Sequence, residues 1–460
     1  DSQGKALSPA FLINNIREMF PEMEIRQCGE VQDSMELLEL PGISLDYLLK
    51  GLAGEEYRDD AVFQELYSWY LQSPEYRTLV KRLTEVSFSE RPSDMIGKTV
   101  AGILYGEVSP YSATRLERFA ACAFAHFLQY GLKVTERAEY EFRAMDMGNV
   151  MHMALEKFAA EVRKEGLDWA DLTEEERNRI IDDCLDQVSA DYGNTVLKSS
   201  ARNEYMIERT RRILRRTVWA LQEQLKHGEF RPEGFEVKFE GGRIDRVDIM
   251  EEPEKNRVYV KVIDYKTGNT SFDMLALYHG LQLQLMIYLD GALKVEQRKY
   301  PEREIVPAGI FYYNVKDPMI QEKIHADVER VQEQVMKKLK MNGLVQADDD
   351  VSIKIDETLA SIPVSRNKDG SFSRRSSVAS RQQFNALGEY VRRKICDIRE
   401  SILDGNAAVA PYELGKKNAC TYCPYITVCG FDRKIPGYEF HRLPSFSESD
   451  LWKKIMKEDE

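Results

Sequence analysis

Between Val258 and Gly268 the chain reads VYVKVIDYKTG, a β-branched run with a period of two that stops at a Thr-Gly breaker. Successive side chains of a strand face opposite ways, so Val258, Val260, Val262, Asp264 and Lys266 share one face. Three valines pack into a core, and an acid and a base emerge where the strand ends. Upstream, FEVKFEGGRIDRVDIM (Phe235 to Met250) keeps the same period and turns at Gly241 and Gly242, so its second arm lies beside VYVKVIDYK. Downstream, HGLQLQLMIYLDGAL (279–293) reads as an apolar helix and EIVPAGIFYYNV (304–315) as another strand. With a helix before the hairpin, the order is helix, three strands, helix, strand, which is a mixed α/β core.

The hairpin sets Asp245, in GRIDRVD, alongside Asp264. Two converging carboxylates repel each other unless a cation bridges them. An incomplete, oxygen-rich donor set suits Mg²⁺ or Mn²⁺, which keep waters and phosphate oxygens in their coordination. Such an ion polarises a scissile phosphate and lowers the pKa of a bound water, while Lys266 offsets charge developing on the phosphate. Asp248 is the nearest rival carboxylate, but alternation puts it on the opposite strand face from Asp245. Glu236, one strand back, is placed to support the site. Taken singly, each of these residues also has an ordinary reading: Asp264 and Lys266 as strand-end surface residues, His152 as a core histidine, Gln284 and Tyr288 as helix packing four apart.

Before the hairpin, Ser112 is a candidate N-cap for a helix running through TRLERFAACAFAHFLQ to a terminator at Gly131, with Cys122 in its middle. After Asp146, Val150, Met151, Ala154, Leu155, Phe158 and Val162 recur at helical spacing, with His152 and Glu156 on the edge of that stripe. Amphipathic helices fill roughly 173 to 229, and FRPEG ends them. Residues 1 to about 105 are helix-like pieces such as AVFQELYSWYLQ. The phrase MIGKTV there is not a phosphate-binding loop, because Pro92 stands where the pattern needs Gly. Late in the chain DGSFSRRSSVASR reads as a mobile loop, and a helix runs from about Gln382 to Leu403.

The 460 residues exceed one ordinary core and suggest two or three domains. With 43% hydrophobic and 31% charged residues the composition is that of an average globular protein, without an apolar run long enough to cross a bilayer. The opening DSQGKALSPAFLINNIREMF lacks an initiator Met and the order of a secretory signal, so the start reads as a fragment boundary and the compartment as cytoplasm. A net charge of −13 argues against bulk electrostatic coating of nucleic acid. Local basic runs, Arg209 to Arg216 and Arg374 to Lys394, leave room for a phosphate-facing surface or for solvated helix faces. Seven cysteines is an odd number, and CTYCPYITVC (420–429) crowds three of them together, which reads as metal or cluster ligation in a reducing compartment. Cys420, Cys423 and Cys429 are one thiolate short of four, and Cys122 is the natural fourth. Sulfur ligands alone suit zinc and iron–sulfur clusters alike. Cys28, Cys184 and Cys396 read as structural or free.

Taken in order, Gly148-x-x-x-His152, Gly242-x-Ile244-Asp245, Asp264-Tyr265-Lys266 and Gln284-x-x-x-Tyr288 resemble the motif series of RecB-like PD-(D/E)XK nucleases. That resemblance implies a restriction-endonuclease-like core and a divalent ion held by His152, Asp245, Asp264 and the backbone carbonyl of Tyr265. It implies Lys266 as the catalytic cation, with Gln284 and Tyr288 lining the DNA path. One cysteine before these motifs and three after them is similar to the AddB family of bacterial helicase–nuclease components, which implies a [4Fe–4S] cluster on Cys122, Cys420, Cys423 and Cys429. Tying Cys122 to the 420s closes a loop around nearly the whole nuclease region, a staple worth about 4 to 6 kcal/mol on the disulfide-type estimate.

The resemblance implies a helical remnant of a helicase-like region over 1–105 and a nuclease domain over 106–460. It further implies an exonuclease acting on DNA, on the 5′-ended strand, during double-strand-break resection, with an AddA-like helicase–nuclease as partner. Two other readings are a free-standing Cas4-like or Dna2-like exonuclease and a non-catalytic scaffold for DNA or a partner. The long N-terminal region counts against the first, and the complete His, Asp, Asp, Lys set against the second.

Overall fold

The structure, a computed structural model, describes residues 11–23, 41–52, 61–87, 94–106, 112–135, 144–192, 200–320, 327–348, 350–435 and 437–457. The chain divides into two compact units, Asp1–Pro92 and Ser93–Glu460. The division lies upstream of the expected 105/106, because the helix Lys98–Tyr105 packs on the helix Arg381–Leu403 of the second unit. In the first unit the described residues form helices Phe11–Met19, Pro41–Leu52, Ala61–Gln72 and Arg77–Ser87. Tyr47, Leu48, Phe63, Tyr70 and Val80 are its buried core.

The second unit is built on a six-stranded sheet in sequential order: β1 (Arg231–Phe239), β2 (Gly242–Glu252), β3 (Arg257–Lys266), β4 (Glu304–Asn314), β5 (Asn342–Gln346) and β6 (Val378–Ala379). β1, β2 and β3 form an antiparallel meander, with the first turn at the expected Gly241 and Gly242. β4 lies parallel to β3, which requires a crossover, and the helix Gln284–Lys299 supplies it. The expected mixed α/β order is therefore present.

Both faces of β3 are buried. Val258, Val260 and Val262 pack with Leu285, Leu289, Leu387 and Val391 from helices Gln284–Lys299 and Arg381–Leu403. Tyr259, Ile263 and Tyr265 pack on the other face against helices Ala144–Lys164, Glu174–Asp191 and Ala201–Lys226. The stripe Val150, Met151, Ala154, Leu155, Phe158, Val162 is buried there in full. The valine face thus points to one helical layer and the acid–base end of the strand opens at the rim of the sheet.

Three local expectations change. The helix from Ser112 is not continuous: it runs Ala113–Ala121, breaks at Cys122, whose backbone is extended (φ −167°, ψ 115°), and resumes as a short turn and a π-helical segment Phe127–Gly131. The N–H of Phe124 turns instead to the carbonyl of Ala408. The apolar helix expected from His279 starts only at Gln284, after a short helix Met274–Tyr278 and a turn at Gly280. DGSFSRRSSVASR is an ordered segment: Ser376 Oγ donates to the Ser365 carbonyl at 2.7 Å and accepts from the Ser365 N–H at 3.0 Å, and the stretch ends in β6.

Within the basic run Arg209 to Arg216, Arg211 pairs with Asp186 and Asp182, Arg215 with Asp182, and Arg212 with Asp317. Those three arginines knit helices and loops together at the surface, where each pair contributes about 0 to 1 kcal/mol.

Candidate metal centre and cysteine centre

The register of the meander aligns three carboxylates. β2 and β3 pair with Arg246 opposite Ile263, so the next position sets Asp245 opposite Asp264. β1 and β2 pair with Phe235 opposite Arg246 and Val237 opposite Ile244, which sets Glu236 opposite Asp245. Glu236 holds a left-handed backbone (φ 50°), rare for a side chain other than glycine and costing on the order of 1 kcal/mol, a strain that clusters at functional sites. Asp245 accepts the Tyr265 backbone N–H at 2.8 Å, which fixes its carboxylate across the strand boundary. Gly242 adopts φ 141°, a conformation that L side chains rarely take, at the turn that starts this arm.

His152 arrives from the helix Ala144–Lys164, and its Nδ1 lies 3.4 Å from Asp245 Oδ2. A Cβ on Gly148 would come within 3.2 Å of the Thr267 hydroxyl, so glycine there lets the helix approach the end of β3. The His152 ring also bonds the Tyr265 backbone, bringing that carbonyl beside the carboxylates. One donor atom each of His152, Glu236 and Asp245 lies within 4.8 Å of the other two. Asp264 sits next in the row with Oδ2 2.7 Å from Lys266 Nζ. Of the expected ligands, His152 and Asp245 stand together, Glu236 rather than Asp264 completes their compact group, and Asp264 lies across the strand pair from Asp245.

Electrostatically the site crowds three largely buried carboxylates beside two cations, Lys266 on Asp264 and Arg243 on Glu236. Burial, reinforced by Asp245, pushes Asp264 up to about 7. Burial pushes Asp245 up to about 6 against the opposing Tyr265 N–H. Glu236 is pushed up to about 7 by burial and then by Asp245, although Arg243 pairs with it. Burial lowers His152, leaving a neutral imidazole with a lone pair. Carboxylate oxygens, one imidazole and a carbonyl form the donor set that a hard divalent cation accepts. The residues present fit such an ion.

Lys266 Nζ is held from two sides, by Asp264 and by Gln284 Oε1 at 2.7 Å, and it lies over the Tyr312 ring. Gln284 Nε2 donates to Tyr288 Oη at 2.8 Å. The Gln–Tyr pair expected to line a DNA path thus also carries the lysine. Asp248 is fully buried on the other face and is taken by Arg246 (2.6 Å) and Lys261 (3.0 Å). Glu117 is a contributor that sequence reasoning missed. Its Oε1 accepts the backbone N–H groups of Leu283 (2.7 Å) and Gln284 (2.9 Å), and burial pushes it up to about 7. One charged residue in an amphipathic helix carries no signal for that role.

Cys122, Cys420, Cys423 and Cys429 line one cavity with Phe124, Tyr425 and Phe431. All four are half-buried and free. The backbone N–H of Ala125 points at the Cys122 sulfur, and that of Phe431 reaches Cys429 Sγ at 3.5 Å. Asn418 Oδ1 accepts from the N–H groups of Cys420 and Thr421, at 3.0 Å each. Tyr425 Oη donates to the Val134 carbonyl at 3.0 Å, tying the late loop to the segment after Cys122. Among the described residues no three of these sulfurs lie within 4.8 Å of one another. Cys184 is buried and Cys396 exposed, both apart from this cavity, and Cys28 lies outside the described residues.

Residues 110–430 match the family model described as the PD-(D/E)XK nuclease superfamily. The chain belongs to that superfamily. The match spans both the carboxylate row and all four cavity cysteines. Over its whole length the chain is also similar to AddB proteins, each named as one component of an ATP-dependent helicase/deoxyribonuclease. It is 37% identical to that of Lachnoclostridium phytofermentans, 33% to that of Alkaliphilus metalliredigens and 31% to that of Clostridium acetobutylicum. It covers 41%, 42% and 42% of those proteins, so it spans about two fifths of their length. Among the described residues no helix is long and apolar enough to cross a membrane.

Proposed function

We propose that this chain is the nuclease portion of an AddB-like component of a helicase/deoxyribonuclease, hydrolysing DNA phosphodiester bonds with Mg²⁺ or Mn²⁺. The observation that carries the reading is the gathering of His152, Glu236 and Asp245 donor atoms within 4.8 Å, with Asp264 and Lys266 beside them. His152, Asp245, Asp264 and the Tyr265 carbonyl would hold the ion, with Glu236 as a further candidate oxygen donor. Bound there, the ion supplies Lewis-acid polarisation of the phosphate and a water of lowered pKa. The chain's own part is positional. Asp245 is locked by the Tyr265 N–H, His152 offers an unprotonated ring nitrogen, and Lys266, held by Gln284 and Asp264, would offset charge developing on a bound phosphate. Gln284 and Tyr288 border the path of the strand being cut.

The relatives' name, one component of a helicase and deoxyribonuclease, supports a second component; in our reading this is an AddA-like helicase–nuclease, and the present chain would act on the 5′-ended strand at DNA ends during recombinational repair. Residues 1–92 would then belong to the helicase-like region. Digestion of single-stranded DNA by the full-length protein should require Mg²⁺ and vanish in Lys266→Ala. Equal activity in both, or none in either, defeats the reading.

We infer further that the four cavity cysteines hold a [4Fe–4S] cluster. A single tetrahedral zinc with Zn–S near ~2.3 Å would need its sulfurs about 3.8 Å apart. Thiolates that each bind a different iron stand wider, and the four cysteines share one cavity. An anaerobic preparation should be coloured and contain iron. A colourless, zinc-loaded protein overturns the cluster and leaves the nuclease assignment standing.

A further inference from the structure

The helix Gln284–Lys299 begins without a cap of its own. Its N-cap residue is Leu283, which has no side chain able to accept, and the first N–H groups of a helix need acceptors. The acceptor comes from a distant, earlier segment: Glu117 Oε1 takes the N–H groups of Leu283 and Gln284. Contact between the two segments is close, since a Cβ on Gly280, in the turn just before, would lie 3.3 Å from Ala120 Cβ. The residue whose N–H Glu117 captures is also the residue whose side chain accepts from Lys266 Nζ at 2.7 Å. The carboxylate therefore fixes the backbone of Gln284, and Gln284 fixes the lysine. Glu117 also lies within electrostatic reach of Lys266 and Asp264.

From these contacts we propose that Glu117 is a positioning residue of the nuclease site, acting through Gln284 on Lys266. This rests on the reading of Lys266 as the catalytic cation. A carboxylate at a helix N-terminus is ordinarily a stabilising cap. Here the capped residue is itself a contact of the reacting group, so loosening the cap displaces the ammonium. A displacement of about 1 Å at a reacting centre costs up to about 10²-fold in rate.

The test is a double-mutant cycle on Mg²⁺-dependent DNA digestion by the full-length protein, with kcat and KM separated. Glu117→Ala should lower kcat by up to about 10²-fold and leave KM for DNA nearly unchanged. Glu117→Gln keeps the accepting oxygen and should restore kcat to the order of wild type. In a Gln284→Ala background, Glu117→Ala should cost little more, because the route it acts through is already gone. Full multiplicative loss in the double variant, or failure of the Gln variant to restore kcat, overturns the proposal. Should Glu117→Ala not fold, Glu117→Asp, which withdraws the carboxylate by one methylene, replaces it in the cycle with the same expectations. Lys266→Ala runs alongside: full activity there sinks the reading of Lys266, whereas its loss beside unchanged Glu117 variants sinks only the positioning role.

Discussion

The carboxylate row and the cysteine cavity are two answers to the problem of holding groups distant in sequence at one point. The row is held by strand register: Glu236, Asp245 and Asp264 are neighbours across three paired strands, and a sheet fixes them before anything binds. The cavity is held by short turns, one helix break and a few N–H···S contacts. The first site stores strain of burial and charge: burial raises all three carboxylates toward neutrality, and Asp245 raises Glu236 and Asp264 further. In the second, burial and then the neighbouring cysteines push the Cys420 thiol up to about 11. A pre-formed site of like charges opposes its own folding until a cation arrives, whereas a loop-built site depends on its ligand for shape.

That contrast can be broken most forcefully at Asp264 and Lys266. Asp264→Asn or Lys266→Ala should reduce DNA hydrolysis by at least about 10²-fold, yet Asp264→Asn should melt no lower than wild type without divalent ions, because it removes a like charge. A cation-free Asp264→Asn protein that melts well below wild type would show that the row is not under repulsion. On the other side, Cys420→Ser should cost about 2 to 5 kcal/mol in unfolding free energy, the range for losing a long-loop staple, read by chemical denaturation of anaerobically prepared protein. An unchanged denaturation midpoint would mean that the cavity fastens nothing. Glu236→Gln should raise the Mg²⁺ concentration needed for half-maximal cleavage by about tenfold while leaving saturated activity near wild type. Titration of activity against Mg²⁺ decides it.

The smallest effect is in the pH dependence of melting. Asp264 and Glu236 near 7 and Asp245 near 6 all sit above their unfolded values, so the folded state holds more protons between roughly pH 4 and 7. Stability from these groups is present below the unfolded values and is lost as pH rises through the folded ones. Without divalent ions the melting temperature should therefore fall from about pH 5.5 to about pH 8. Added Mg²⁺ should raise it more at the upper pH than at the lower. Equal Mg²⁺ increments at both pH values would contradict the assignment of these carboxylates to the ion.

The sheet and the site were readable to different depths. Alternation placed Asp264 and Lys266 at one strand end, separated Asp245 from Asp248, and set the hairpin turn, because a period of two leaves no freedom about which face a side chain takes. The apolar stripe of the helix carrying His152 was equally plain. Cys122 was not. Its flanking residues are good helix formers, and only contact with Ala408 and the late cysteines explains the break. Glu117 was invisible for a related reason: its partners are backbone N–H groups, which leave no trace in side-chain pattern. The serine-rich segment before the Arg381–Leu403 helix looked mobile by composition, yet its hydroxyls bond one another and neighbouring backbone groups. Long-range polar contacts, unlike burial, have no period.

Beneath the carboxylate row, Arg246, Asp248 and Lys261 form a fully enclosed ionic trio with Trp169, Phe230 and Phe235 around it. Removing one member of such a set strands a charge in a dry interior, at a loss of about 3 to 5 kcal/mol, while swapping all three for well-packed apolar side chains is often neutral. The evolutionary route between those two solutions passes through intermediates that scarcely fold. In a mutational scan these three positions should tolerate single changes as poorly as His152, Asp245 and Asp264 do, for reasons that have nothing to do with cutting DNA.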